Sequence, residues 1–190
     1  MVKMVSISSP HVSKTLRTVM IFIDGEYLRK SIKNIFGRDK IDFNVLTHNL
    51  LKITNIGIVQ GELIRVFYYS AIVDSNDERF EELNKYFNEI KKYNFYEVKL
   101  GRLVKTNRVY RQKGVDVLLA IDMITKAYEN HYDIAILIGG DDDFTDVVKV
   151  VKDTGKRVYG AYFPNTISKR LVDIFDVRYE FKEDNVNFLL

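Results

Sequence analysis

Five consecutive apolar residues, Ile134-Ala-Ile-Leu-Ile138, run straight into Gly139-Gly-Asp-Asp-Asp-Phe144. An apolar run this short, closed by glycines, reads as a strand buried on both faces in the middle of a parallel sheet. Three aspartates arrive where that strand must stop. Phe144, Val147, Val148 and Val151 then recur at helical spacing until Gly155, so the chain continues as an amphipathic helix. The acids therefore stand at the carboxyl end of a central strand, where open α/β sheets place their ligands. One Asp can cap the helix and another can suit its dipole. A third is surplus to both roles, because like charges this close repel unless a cation joins them.

A second strand of the same kind, Val19-Met-Ile-Phe-Ile23, also delivers an acid, Asp24, followed by Gly25. Leu28, Ile32, Ile35 and Phe36 mark a helix face after it. Phe43, Leu46, Leu50 and Ile53 mark another, beyond a turn at residues 37–40. Leu63 to Tyr69 is strand-like. Ser75-Asn-Asp-Glu78 has capping-box spacing ahead of a helix with Phe80, Leu83, Phe87 and Ile90 inward. A short strand is expected over 95–100 and a basic loop over 101–114. A helix over 115–129, apolar nearly all round at its start, is expected to be well buried. Strands over 157–163 and 177–181 flank a short helix over 166–174. Strands alternating with helices through short connections predict an α/β fold with a mostly parallel, doubly wound sheet.

The length of 190 residues suits one domain, expected over 18–190, behind a flexible Ser-rich arm over 1–17. There is no cysteine and there are only 3 histidines, so thiolate sites are excluded and zinc fits poorly. A metal held by this chain is bound through oxygen, which selects Mg2+ or Mn2+. No apolar run approaches membrane-spanning length and the first residues lack a signal-peptide core. A cytoplasmic protein is expected.

Four acids compete for one site: Asp24, Asp116, Asp141 and Asp143. Asp116 opens the largely apolar helix, where a solvated role fits poorly and a simple cap is the alternative. A cluster of three or four carboxylates matches metal-assisted hydrolysis of phosphodiesters. Asp142 and Asp146 are expected to face elsewhere and serve solubility. Asp122, six residues after Asp116, lies on a different helical face and is kept as a supporting or structural residue.

Ile23-Asp-Gly25, then Lys113-Gly-Val-Asp-Val117 with Asp122, then Gly140-Asp-Asp-Asp-Phe144, in this order and spacing, resemble the NYN family of PIN-like domains over roughly residues 19–181. The resemblance implies a PIN-like, Rossmann-like three-layer α/β/α sandwich and metal-dependent ribonuclease chemistry. It also implies metal-binding roles for Asp24, Asp116, Asp141 and Asp143. Many members carry Asn two residues after the glycine of the first motif, supporting the site; here that position is Tyr27. The small hydroxyl residues around the last motif are replaced by Gly139 and Asp142.

Between Gly101 and Gly114 every charge is positive: Arg102, Lys105, Arg108, Arg111 and Lys113. Such a segment is commonly just a solvated face, but this one runs directly into Asp116. Tyr110 within it could stack on an unpaired base or simply pack. No Ser-His-Asp arrangement or dinucleotide fingerprint is legible, and His11, His48 and His131 read as surface residues. The expected function is an endonuclease acting on single-stranded or structured RNA, with homodimerisation compatible. The alternatives are a non-catalytic RNA-binding module and a metal-dependent phosphatase or nucleotide hydrolase.

Overall fold

The computed structural model describes residues 15–56, 59–106 and 109–190. The expected strand at Val19 to Ile23 is the core of a longer one, β1 (Thr15–Asp24), whose first three residues are exposed and whose next buried stretch begins at Val19. Its extension back to Thr15 takes in residues read from sequence as part of the arm. Residues 1–14 lie outside the described residues.

β1 is apolar without alternation because it has neighbours on both edges and helices over both faces. It pairs in parallel with β2 (Val59–Ile72) on one side and with β5 (Ile134–Ile138) on the other. The full sheet has the order β4-β3-β2-β1-β5-β6-β7, where β3 is Tyr96–Thr106, β4 Val109–Lys113, β6 Arg157–Tyr162 and β7 Val177–Glu180. Every neighbouring pair is parallel except β3–β4.

Alternate residues of the strands feed two cores. Ile21 and Ile23 join Leu28 and Ile32 of α1 (Gly25–Phe36), Phe43, Leu46 and Leu50 of α2 (Phe43–Lys52), and Phe87 and Ile90 of α3 (Phe80–Ile90). Met20 and Phe22 join Leu119, Met123 and Ala127 of α4 (Val115–Tyr128), Phe144, Val148 and Val151 of α5 (Phe144–Asp153), and Leu171 of α6 (Lys169–Ile174). The chain is thus α/β, with a seven-stranded, mostly parallel sheet and helices packed on both faces.

Three local expectations need correction. The basic segment over 101–114 is not a loop: it completes β3 and forms β4, an antiparallel hairpin with Arg102 opposite Lys113 and Val104 opposite Arg111. Charges alternate with β-formers there because β4 is an edge strand, where cations discourage pairing with another chain. The capping box over 75–78 does not form. Asp74 and Asp77 instead accept from the backbone amides of Asn76 and Arg79 in successive turns, and α3 starts only at Phe80 without a side-chain cap. Finally, α4 is not buried all round: Val117, Ile121 and Tyr128 are 60%, 56% and 69% exposed. Its apolar sequence exceeds what one sheet face can cover.

Candidate functional site

The order of strands brings the acids together. From β1 the chain winds outward through β2 and β3, then returns across the sheet to place β5 on the other edge of β1. Ile23 and Ile138 are register partners, so Asp24 and the Gly139–Asp143 turn leave the sheet side by side. This is a topological switch point, where a crevice opens at the carboxyl ends of the strands. Asp116 reaches the same end because the hairpin carries the chain past the end of β2. Ile72 pairs with Arg102, and Arg102 with Lys113, three residues before Asp116. A Cβ on Gly101 would lie 2.6 Å from the Lys113 carbonyl oxygen, so only glycine lets the start of α4 come this close.

Asp24 caps α1, its Oδ1 accepting from the amides of Glu26 and Tyr27, both at 3.0 Å. Burial pushes its carboxyl up to about 6, helped by the charges of Asp116 and Glu26 and opposed by the two amide hydrogen bonds. Asp116, exposed in the first turn of α4, is raised by partial burial and then by the charges of Asp141, Asp143 and Glu26. The four predicted acids therefore share one electrostatic field, with Glu26 as a fifth member. Sequence reasoning missed Glu26, though its place two residues after Asp24 on the first turn of the same helix was the available signal.

Acids close to these four are engaged by other side chains. Asp142 accepts from Ser168 Oγ and from the Arg170 guanidinium, which ties the start of α6 to the aspartate turn rather than serving solubility alone. Asp146 is bound by Lys149. Asp122 accepts from Tyr69 Oη at 2.9 Å and pairs with Lys99 at 3.0 Å and Lys126 at 3.5 Å. Among the described residues, Asp24, Asp116, Asp141 and Asp143 have no cationic partner, while Glu26 pairs with Lys30. Asp141 Oδ1 accepts from the Asp143 amide at 3.1 Å, and Asp143 starts α5 without using its carboxylate as a cap.

An unpaired set of carboxylate oxygens is the donor set a hard divalent cation takes, so the chemistry of these residues fits Mg2+ or Mn2+. Their oxygens have not drawn together: among the described residues no three acids or imidazoles converge tightly enough to hold an ion.

Tyr27 does not aim its hydroxyl at the acids. Its Oη accepts from the Phe163 amide at 3.1 Å and bonds Thr166 Oγ1 at 2.8 Å, clamping the turn after β6. On the hairpin, Arg102, Lys105, Arg111 and Lys113 are exposed, and Arg108 lies outside the described residues. Tyr110 donates to Asp77 Oδ2 at 2.6 Å, and Arg79 stands 3.4 Å over its ring with Lys105 at 5.2 Å. Its ring is thus held in the fold by cations. His48 and His131 are exposed, and His11 lies outside the described residues. No described helix is long and apolar enough to cross a membrane.

Comparison with known proteins bears on the family and the fold. The family model of the NYN domain matches residues 18–181. A solved protein of unknown function from Vibrio parahaemolyticus is similar over 97% of this chain and 100% of its own, with a TM-score of 0.65 and 21% identity, a likeness of fold. No curated protein matches the chain in sequence.

Proposed function

Because the chain belongs to the NYN domain family, a nuclease-like family, we propose that it is a metal-dependent ribonuclease cutting RNA internally at Asp24, Asp116, Asp141 and Asp143. The observation that carries this reading is the company these acids keep: the four meet at a switch point with no cationic partner among the described residues, whereas nearby Asp142 and Asp122 are held by Arg170 and by Lys99 and Lys126. The two packed cores on opposite sheet faces support the PIN-like three-layer sandwich as its frame.

In this reading Asp24, Asp116 and Asp141 hold a magnesium or manganese ion. Such an ion, when bound, generates a nucleophile from water and offsets charge on the leaving oxygen. Asp24 is fixed in place by its two amide hydrogen bonds, which leave Oδ2 free of them. Asp143, exposed and not engaged as a cap, orients the attacking water and accepts its proton. Arg102, Lys105, Arg111 and Lys113 on the hairpin guide the phosphate backbone toward Asp116.

The test is cleavage of a generic single-stranded RNA by the purified protein. Cutting is expected with manganese or magnesium, to stop in chelator, and to be lost in Asp141→Asn with an unchanged circular dichroism spectrum. RNA binding without cutting would favour a non-catalytic module, and turnover of free nucleotides alone would favour a small-substrate hydrolase.

A further inference from the structure

A groove of about 390 Å³ opens beside the acids, between α1, α3 and the ends of β2, β3 and β4. This volume is within the range of small-ligand sites, about 300–1,000 Å³. Glu26 lies on its wall and also acts on Asp24 and Asp116, so the groove and the carboxylate cluster are contiguous. Resting on the ribonuclease reading, we propose that this groove receives one unpaired nucleotide of the RNA, next to the phosphate being cut.

Three features fit that occupant. The walls include Leu83 and Leu103, apolar side chains against which a base face can pack. Ser70 lines the groove and is 4% exposed. A hydroxyl that lines a cavity can bond a polar group of a ligand, and a base edge supplies one. Arg29 and Lys33, one helical turn apart on α1, stand on the rim with no ion-pair partner among the described residues. Arg29 is held at 5.0 Å from the Tyr86 ring, which keeps its charge at the groove mouth.

Asp39 and Glu82 share the rim, so the groove is no general anion well. Carboxylates suit the exocyclic amines of bases, while the two free cations suit one phosphate. A base inside a duplex cannot enter, so the groove makes the enzyme select single strands.

The experiment measures fluorescence anisotropy of a short labelled single-stranded RNA, and of the same sequence as a duplex, with calcium in place of manganese. Leu83→Trp fills the groove, Ser70→Ala removes only the hydroxyl, and Arg29→Ala with Lys33→Ala removes the rim charges. Single-strand affinity is expected to fall roughly tenfold in Leu83→Trp, the loss of about one base contact, and by a smaller factor in Ser70→Ala. Duplex affinity is expected to stay within about twofold of wild type in both.

Unchanged single-strand affinity in Ser70→Ala and in the double charge variant overturns the proposal, whether or not Leu83→Trp folds. Equal loss for duplex and single strand also overturns it. Hydrolysis of bis(p-nitrophenyl) phosphate by the wild-type protein with manganese reads the carboxylate site alone. Failure there counts against the ribonuclease reading, while the anisotropy still judges the groove.

Discussion

Tyr27 and Gly140 are packed so closely that a Cβ on Gly140 would lie 2.4 Å from the Tyr27 ring and 2.4 Å from the Thr166 carbonyl oxygen. The first turn of α1 and the aspartate turn after β5 are therefore set against each other through the Tyr27 side chain. Tyr27→Phe removes the partner of the Phe163 amide and should cost about 1–3 kcal/mol, read as a lower midpoint in urea. Gly140→Ala should cost at least as much, since the backbone at Thr166 cannot yield. Unchanged midpoints in both would mean that this contact does not order the site.

The Asp24 carboxyl should make the metal-free protein sensitive to pH. Burial and neighbouring acids raise it from 3.8 to about 6, so the fold disfavours its charged form. Stability from this group is fully present below pH of about 4 and is lost as pH rises through about 6. Asp24→Asn keeps an oxygen to cap α1. In chelator at pH 7 it should be more stable than wild type by roughly 3 kcal/mol, and the difference should vanish near pH 4. Equal stabilities at pH 7 would contradict the strain assigned to this carboxylate.

Asp122 behaves in the opposite sense. Burial pushes its carboxyl up, but hydrogen bonds from Lys99 and Tyr69 and the charge of Lys126 outweigh it and hold it below the usual range. Stability from this group is present above its unfolded pKa and is lost as pH falls through the depressed folded value. Asp122→Asn should cost about 1–2 kcal/mol at pH 7 and progressively less in acid, in denaturant titrations. RNA cleavage should change little, because this aspartate is tied to Lys99, Lys126 and Tyr69 rather than to the other acids. A large loss of cleavage at unchanged stability would place it in the site after all.

The placement of the candidate acids was legible because its signals are local. A buried strand that ends in an acid announces itself twice, at Ile23–Asp24 and at Ile138–Asp141, and the parallel register places those ends side by side. Two cation partners were not legible, because they come from distant sequence: Lys99 for Asp122, and Arg170 for Asp142. The β3–β4 hairpin was missed since Lys and Arg between β-formers look like a loop until a sheet edge is known to need them. The capping box failed because Asp74 and Asp77 offered turns nearer at hand. Nothing in the sequence said that α4 would leave Val117 and Ile121 in solvent.

The hairpin cations should carry RNA affinity without touching chemistry at the acids. With Asp141→Asn in calcium, Arg102→Ala and Arg111→Ala together should weaken binding across sequences. They should also make the slope of log affinity against log salt shallower by about 1.4, at about 0.7 per lost phosphate contact. An unchanged slope would make the hairpin a solvated edge and send the RNA over another surface.

The central claim is that the unpaired aspartates hold a divalent cation, and calorimetric titration of manganese into the metal-free protein tests it most directly. The account predicts saturable binding to wild type that is abolished in Asp141→Asn and strongly weakened in Asp116→Asn, with Asp122→Asn binding as wild type does. Manganese binding that is absent from wild type, or that survives unchanged in both Asp141→Asn and Asp116→Asn, would contradict it.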